Sequence, residues 1–202
     1  WHVLDALLAR YELNDDVDLP FPLGGCFGFW GYDLNNFVEP KLRCRAANDL
    51  ELPDCHLGFY DSLAVFDHQL GQTWIVATGL GADGSRTEER AQAQAGFWQT
   101  HLRAEPKEPA TCNAPPAHLA PHASRLTSNF TRESFIAAVE AAQRYIRSGD
   151  IYQVNVTQRL SAPWSASAWE LFRRLADVSP APCAAFVDCG EFQLASSSPE
   201  LF

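Results

Sequence analysis

The sequence predicts an α+β fold. Short apolar runs of strand length occur in adjacent pairs, helical periodicities fall between those pairs, and no regular β-α-β alternation emerges. The chain has 202 residues, 47% of them apolar, which is enough for one large or two small cores. Aromatic residues at 12% and charged residues at 20% argue against disorder.

The elements follow in order. Val3, Leu4, Leu7, Leu8 and Tyr11 keep helical spacing, so a helix is expected over 1–11, ended by Asn14-Asp15-Asp16. Glycines 25, 28 and 31 have the spacing G-x-x-G-x-x-G with bulky aromatics between them. A dinucleotide loop needs G-x-G-x-x-G between a strand and a helix, so the glycines are expected to allow close backbone approach in a buried strand. The apolar runs 58–68 and 72–78 flank His68-Gln69-Leu70-Gly71 and predict an antiparallel hairpin. A helix is expected over 85–103, with Ala91, Ala95, Trp98 and Leu102 on one stripe.

Five prolines at 106, 109, 115, 116 and 121 exclude a helix or central strand there. They predict a linker over 104–128 between an N-terminal region, 1–103, and a second region, 129–202. In the second region Thr131 is a good N-cap, and Phe135, Val139, Ala142 and Ile146 form a helical stripe that Gly149 terminates. A strand is predicted over 151–160, with Ile151, Gln153, Asn155, Thr157 and Arg159 on one face. Polar side chains in that pattern suit a solvated sheet face or a polar cavity. A helix near 166–177 and a hairpin of 183–187 with 192–196, turning at Cys189-Gly190, complete the chain.

Bulk chemistry excludes some functions. A net charge of −10 disfavours nucleic acid, which needs clustered Lys and Arg. No run of about 18 apolar residues predicts a membrane span, and no leader pattern opens the sequence, so a cytoplasmic location is expected. The six cysteines lack C-x-x-C spacing and are expected as reduced thiols rather than zinc ligands or disulfides. There is no methionine, and the sequence opens inside an expected helix and stops at Phe202 just after an expected strand, so a piece of a longer protein is expected.

Two motifs carry a resemblance. The run Gly149-Asp150-Ile151-Tyr152-Gln153-Val154-Asn155-Val156-Thr157-Gln158-Arg159 and the triplet Ser198-Pro199-Glu200 resemble signatures of the chorismate-utilising enzymes. That family includes the large subunits of anthranilate synthase and aminodeoxychorismate synthase. Likeness extends over roughly 19–78 and 130–202. Asn155, the segment Leu19-Pro20-Phe21 with Gly31-Tyr32-Asp33-Leu34, and Leu52-Pro53-Asp54 with Tyr60-Asp61 resemble the para-aminobenzoate branch.

The resemblance implies two antiparallel sheets packed as a sandwich with outer helices, present here incompletely. A sandwich cut in this way exposes apolar surface and sheet edges, so an unstable fragment is expected. It implies that Glu200 is an active-site carboxylate, protonating the leaving 4-hydroxyl of chorismate as the amine enters at C2. By local pattern alone Glu200 reads as a surface residue. Gln153 and Asn155 would line the same cavity. Mg2+ would anchor the substrate through carboxylates lying beyond residue 202, as would the nucleophilic lysine of the aminodeoxychorismate branch. Lys41 and Lys107 are the only lysines here, and neither has that context.

Pro182, Cys183 and Ala184 fall where the family lines a tryptophan pocket. Ser179 replaces the usual Asn, and Cys183-Ala184 replace an aromatic followed by Ser or Met, which widens the pocket and removes stacking area. L-tryptophan is therefore a candidate ligand, with plain core packing as the alternative. The activity implied for the parent is aminodeoxychorismate synthesis on the folate route, with ammonia from a glutamine amidotransferase partner. The alternatives are anthranilate synthesis, or a non-catalytic piece that binds tryptophan or docks the amidotransferase.

Overall fold

The computed structural model describes residues 1–15, 17–41, 48–104 and 126–200. The chain divides into two compact units, Trp1–Glu108 and Pro109–Phe202.

In the first unit, α1 (His2–Arg10) lies against a ribbon of β1 (Gly25–Trp30) and β2 (Cys55–Tyr60). Register runs from Gly25 opposite Tyr60 to Trp30 opposite Cys55. Two ring contacts fasten the helix to it: Trp1 stacks on Trp30 at 5.7 Å, and Tyr11 meets Phe59 at 5.4 Å. The glycines of β1 do permit close approach. A Cβ on Gly28 would fall 1.9 Å from the His56 carbonyl oxygen, and Gly25 has φ of +139°. A 3-10 turn, Tyr32–Leu34, and the short α2 (Asn35–Val38) follow β1.

Strands β3 (Ser62–Asp67) and β4 (Gln72–Ala77) form a hairpin, with Ser62 opposite Ala77. Helix α3 (Glu88–Arg103) packs on both strands; Thr87 caps it by accepting from the Arg90 N–H. The most buried stretch of this unit runs on from the end of β4. Val76 is 8% exposed and Thr78 5%, and Gly79 and Gly81 are also buried. A buried polar residue needs partners, and Thr78 has them. Its Oγ1 donates to the Asp61 carbonyl at 2.6 Å, and its own carbonyl accepts from Arg86 Nε at 2.6 Å.

In the second unit, β5 (Thr127–Ser128) pairs with β6 (Leu160–Ser161), and α4 (Arg132–Ser148) lies between them in sequence. Thr131 and Ser134 form a reciprocal capping box at its start. Gly149, at φ of +80°, closes it in the left-handed conformation that other residues adopt at a cost. Helix α5 (Ala168–Val178) packs on the hairpin of β7 (Ala185–Asp188) and β8 (Gln193–Ser196). Trp169, Phe172 and Phe186 make a three-ring cluster at 5.2–5.6 Å.

The α+β class and the antiparallel pairing stand as expected. The ladders among the described residues are four two-stranded sheets. Apolar surface is extensive: Tyr32, Val178 and Tyr152 are 88%, 81% and 92% exposed. Three expectations need correction. The strand predicted over 151–160 is irregular through 159, and only Leu160–Ser161 is ladder. Its polar residues bond to the turn before α4 instead: Gln158 Nε2 donates to Ser128 Oγ at 2.8 Å, and the Arg159 N–H to Asn129 Oδ1 at 2.8 Å. The run 58–68 is two strands rather than one, because the chain turns at Asp61, whose carbonyl holds Thr78. β1 is not buried, since its ribbon has only two strands and Phe27 and Trp30 are half-exposed. Of the linker expected over 104–128, residues 105–125 lie outside the described residues, and Thr127–Ser128 is strand β5.

Candidate active site

The site builds from the β7–β8 hairpin outward. Ala185 stands opposite Ser196, the pair at which the ladder ends. The Cys183 N–H donates to the Ser198 carbonyl at 3.1 Å. Ser197 Oγ donates to the Ser179 carbonyl, at the C-cap of α5, at 2.6 Å. These bonds close a frame: α5 delivers Ser179, the prolines at 180 and 182 carry the chain to the hairpin, and the hairpin returns Ser197 and Ser198 to Ser179 and Cys183. The frame holds Cys183 against Ser198, the first residue of the Ser198-Pro199-Glu200 triplet. Two motifs separated by 13 residues or more in sequence are thus one local structure.

Within the triplet, Ser198 Oγ donates to the Glu200 carbonyl at 3.0 Å and accepts from the Glu200 N–H at 3.4 Å. Pro199 fixes φ between them. The backbone of Glu200 is therefore held, while its side chain is exposed. Cys183 and Ala184 are half-buried and Pro182 is exposed. Glu200 follows the end of β8 at Ser196 by four residues.

Gln153 and Asn155 lie in the irregular segment and are both exposed. No hydrogen bond among the described residues joins either of them to Glu200. A magnesium site calls for several oxygen ligands around one point. Among the described residues no three His, Cys, Asp or Glu side chains converge in that way. The described residues do not make up a Mg2+ site, and no chemical step here is derived through the ion. Of the six cysteines, Cys26, Cys55, Cys183 and Cys189 are free thiols. Among the described residues no helix is long and apolar enough to cross a membrane.

Sequence reasoning missed one feature of the first unit. Arg90 on α3 binds the Leu80 carbonyl through Nε at 2.6 Å and Asp61 Oδ2 through Nη2 at 3.1 Å. The only available signal was the spacing of Arg86 and Arg90, one helical turn apart. Beside them, Asp83 accepts from the hydroxyl and the N–H of Ser85, and these bonds hold its carboxyl below the usual carboxylate range.

An α+β unit whose terminal hairpin presents a Ser-Pro-Glu triplet beside a proline-rich turn defines a class of enzyme-like scaffold with one candidate carboxylate. Residues 2–202 match the family described as chorismate binding enzyme, and the chain belongs to that family. It is 30% identical over 190 residues to aminodeoxychorismate synthase component 1 of Bacillus subtilis, covering 94% of this chain and 38% of that protein. It is 36% identical over 201 residues to anthranilate synthase component 1 of Thermus thermophilus, covering 97% of this chain and 41% of that one. The crystal structure of anthranilate synthase component I from Streptococcus pneumoniae aligns with a TM-score of 0.72 at 27% identity, over 98% of this chain and 43% of that one. The chain thus spans about two fifths of the length of the relatives it matches.

Proposed function

We propose that the full-length protein uses chorismate, and that it makes 4-amino-4-deoxychorismate from chorismate and ammonia. The observation that carries this reading is the Ser198-Pro199-Glu200 triplet, held at the backbone and fastened to Cys183 in a chain of the chorismate-binding family. A carboxyl fixed at its Cα but free at its tip can be placed against a substrate and serve as general acid toward a leaving hydroxyl. Asn155, in the signature run, favours the para-aminobenzoate branch, as do the segments 19–34 and 52–61. Gln153 and Asn155 then border the substrate cavity, in a setting that includes chain beyond the residues present. Ammonia comes from a glutamine amidotransferase partner, and Mg2+ binds through carboxylates outside 1–202.

Anthranilate synthesis is the second reading, favoured by the 36% identity to the Thermus thermophilus protein. The frame around Cys183 is equally compatible with an L-tryptophan pocket, in which the small Cys183 and Ala184 leave room but little stacking surface. The deciding experiment is product analysis. Full-length protein is incubated with chorismate, ammonium and Mg2+, and the products are separated by liquid chromatography with mass detection. The expected product is 4-amino-4-deoxychorismate without pyruvate. Anthranilate with equimolar pyruvate would establish the second reading, and unconsumed chorismate would overturn both.

A further inference from the structure

The first unit contains a cavity of about 320 Å3 that the triplet in the second unit has no part in. Its roof is the end of α1, with Leu8, Tyr11 and Leu13; its floor is the ribbon at Cys26 and Phe59; Leu80 and the Asp61–Arg90 pair close one end. Tyr11 is locked as part of the wall, since its hydroxyl donates to the Ala82 carbonyl at 2.7 Å and its ring contacts Phe59. Such a volume lies near the lower end of the range for small-molecule sites, and the combination of apolar walls with one polar end is typical of them.

The polar end decides what fits. Asp61 and Arg90 neutralise one another at 3.1 Å, so the site offers no net charge to attract an ion. Arg90 spends Nε on the Leu80 carbonyl and Nη2 on Asp61. Its Nη1 has no partner among the described residues and remains as a donor. A charged guest meets no unpaired counter-charge at this half-exposed end, whereas an uncharged one gives up no ion hydration to enter. We infer that this cavity binds a small, uncharged aromatic molecule whose single hydrogen-bond acceptor meets Arg90 at the Asp61 end.

Cys26 lines the floor and reports occupancy. Full-length protein is treated with dilute N-ethylmaleimide, and alkylation of Cys26 is followed by peptide mass spectrometry. The probes are benzamide, benzoate and benzylammonium, which share a shape and differ in charge. Benzamide at about 10 mM, the affinity range for a fragment of this size, is expected to slow Cys26 alkylation about threefold or more. Cys55, exposed on β2 and outside the cavity, keeps its rate. Benzoate and benzylammonium are expected to leave Cys26 unprotected. Equal protection by all three, protection by benzoate alone, or none by benzamide would overturn the inference. So would a Cys26 that never reacts, because the cavity would then be filled by the protein's own chain. Arg90→Met keeps the apolar stem and removes the donor, so the benzamide effect is expected to vanish; its persistence would overturn the assignment of Arg90. If that variant does not fold, the three-probe series on unaltered protein still decides.

Discussion

Two stretches of the second unit, 151–159 and 185–196, are of similar length, and each follows a helix, yet they are held in opposite ways. The hairpin is bonded along its length, its Phe186 ring sits in the Trp169–Phe172 cluster, and hydroxyl and amide bonds fasten its base to Ser179 and Cys183. The other stretch is fastened at its ends. Asp150 meets Ser148 and the Tyr145 carbonyl, Gln158 and Arg159 meet Ser128 and Asn129, and Tyr152, Gln153, Val154 and Asn155 between them are exposed. The difference teaches where each kind of residue does its work. An aromatic side chain that finds a helix face fixes a ladder, whereas a row of amides needs a partner strand or a ligand before it becomes one.

The largest expected effect tests whether the well-held stretch is also the chemical one. In the full-length protein, Glu200→Gln removes the proposed proton donor but keeps size and backbone. Chorismate consumption is expected to fall by about 10²- to 10⁴-fold, the usual contribution of a general acid, with an unchanged circular dichroism spectrum. A rate within a few-fold of the unaltered protein would return Glu200 to a solvated surface role and leave the hairpin as scaffold alone.

A smaller effect tests the fastening itself. Ser197→Ala deletes the 2.6 Å bond to the Ser179 carbonyl, at a half-buried serine. A bond of that kind contributes about 0.5–1.5 kcal/mol, so the urea midpoint should drop with little change in slope. Catalysis should weaken as well, because the triplet is anchored through the next residue. An unchanged midpoint would mean that the Cys183–Ser198 bond and the ring cluster hold the frame without it.

The two stretches were not equally legible in the sequence. Gly149 and Thr131 announced both ends of α4, because a left-handed C-terminal glycine and a capping hydroxyl act through their own neighbours. The β7–β8 and β3–β4 hairpins were legible for a similar reason, their turns being local. Glu200 was singled out only through a motif, since nothing in Ser-Pro-Glu itself distinguishes an active-site carboxylate from a solvated one. Its link to Cys183 depends on ladder register beyond the hairpin, which spacing alone does not give. The strand expected over 151–160 failed because alternation describes a face without supplying the partner strand. The Asp61–Arg90 pair joins residues 29 positions apart, and no local pattern encodes that.

The smallest expected effect probes the loosely held stretch. Asn129→Ala removes the acceptor of the Arg159 N–H at 2.8 Å, one of the few bonds that tie 151–159 to the β5–β6 pair. Asn129 and Arg159 are both exposed, so water takes the place of the lost acceptor. The midpoint should move by less than about 0.5 kcal/mol, the range for surface positions. Amide hydrogen exchange should nonetheless quicken over 151–159 while 185–196 keeps its protection, since the variant weakens one of the two ends that hold the segment and leaves there the Gln158–Ser128 bond and the bond from the Asn129 N–H to the Arg159 carbonyl. Equal quickening in both stretches would join them into a single cooperative unit and remove the contrast drawn between them.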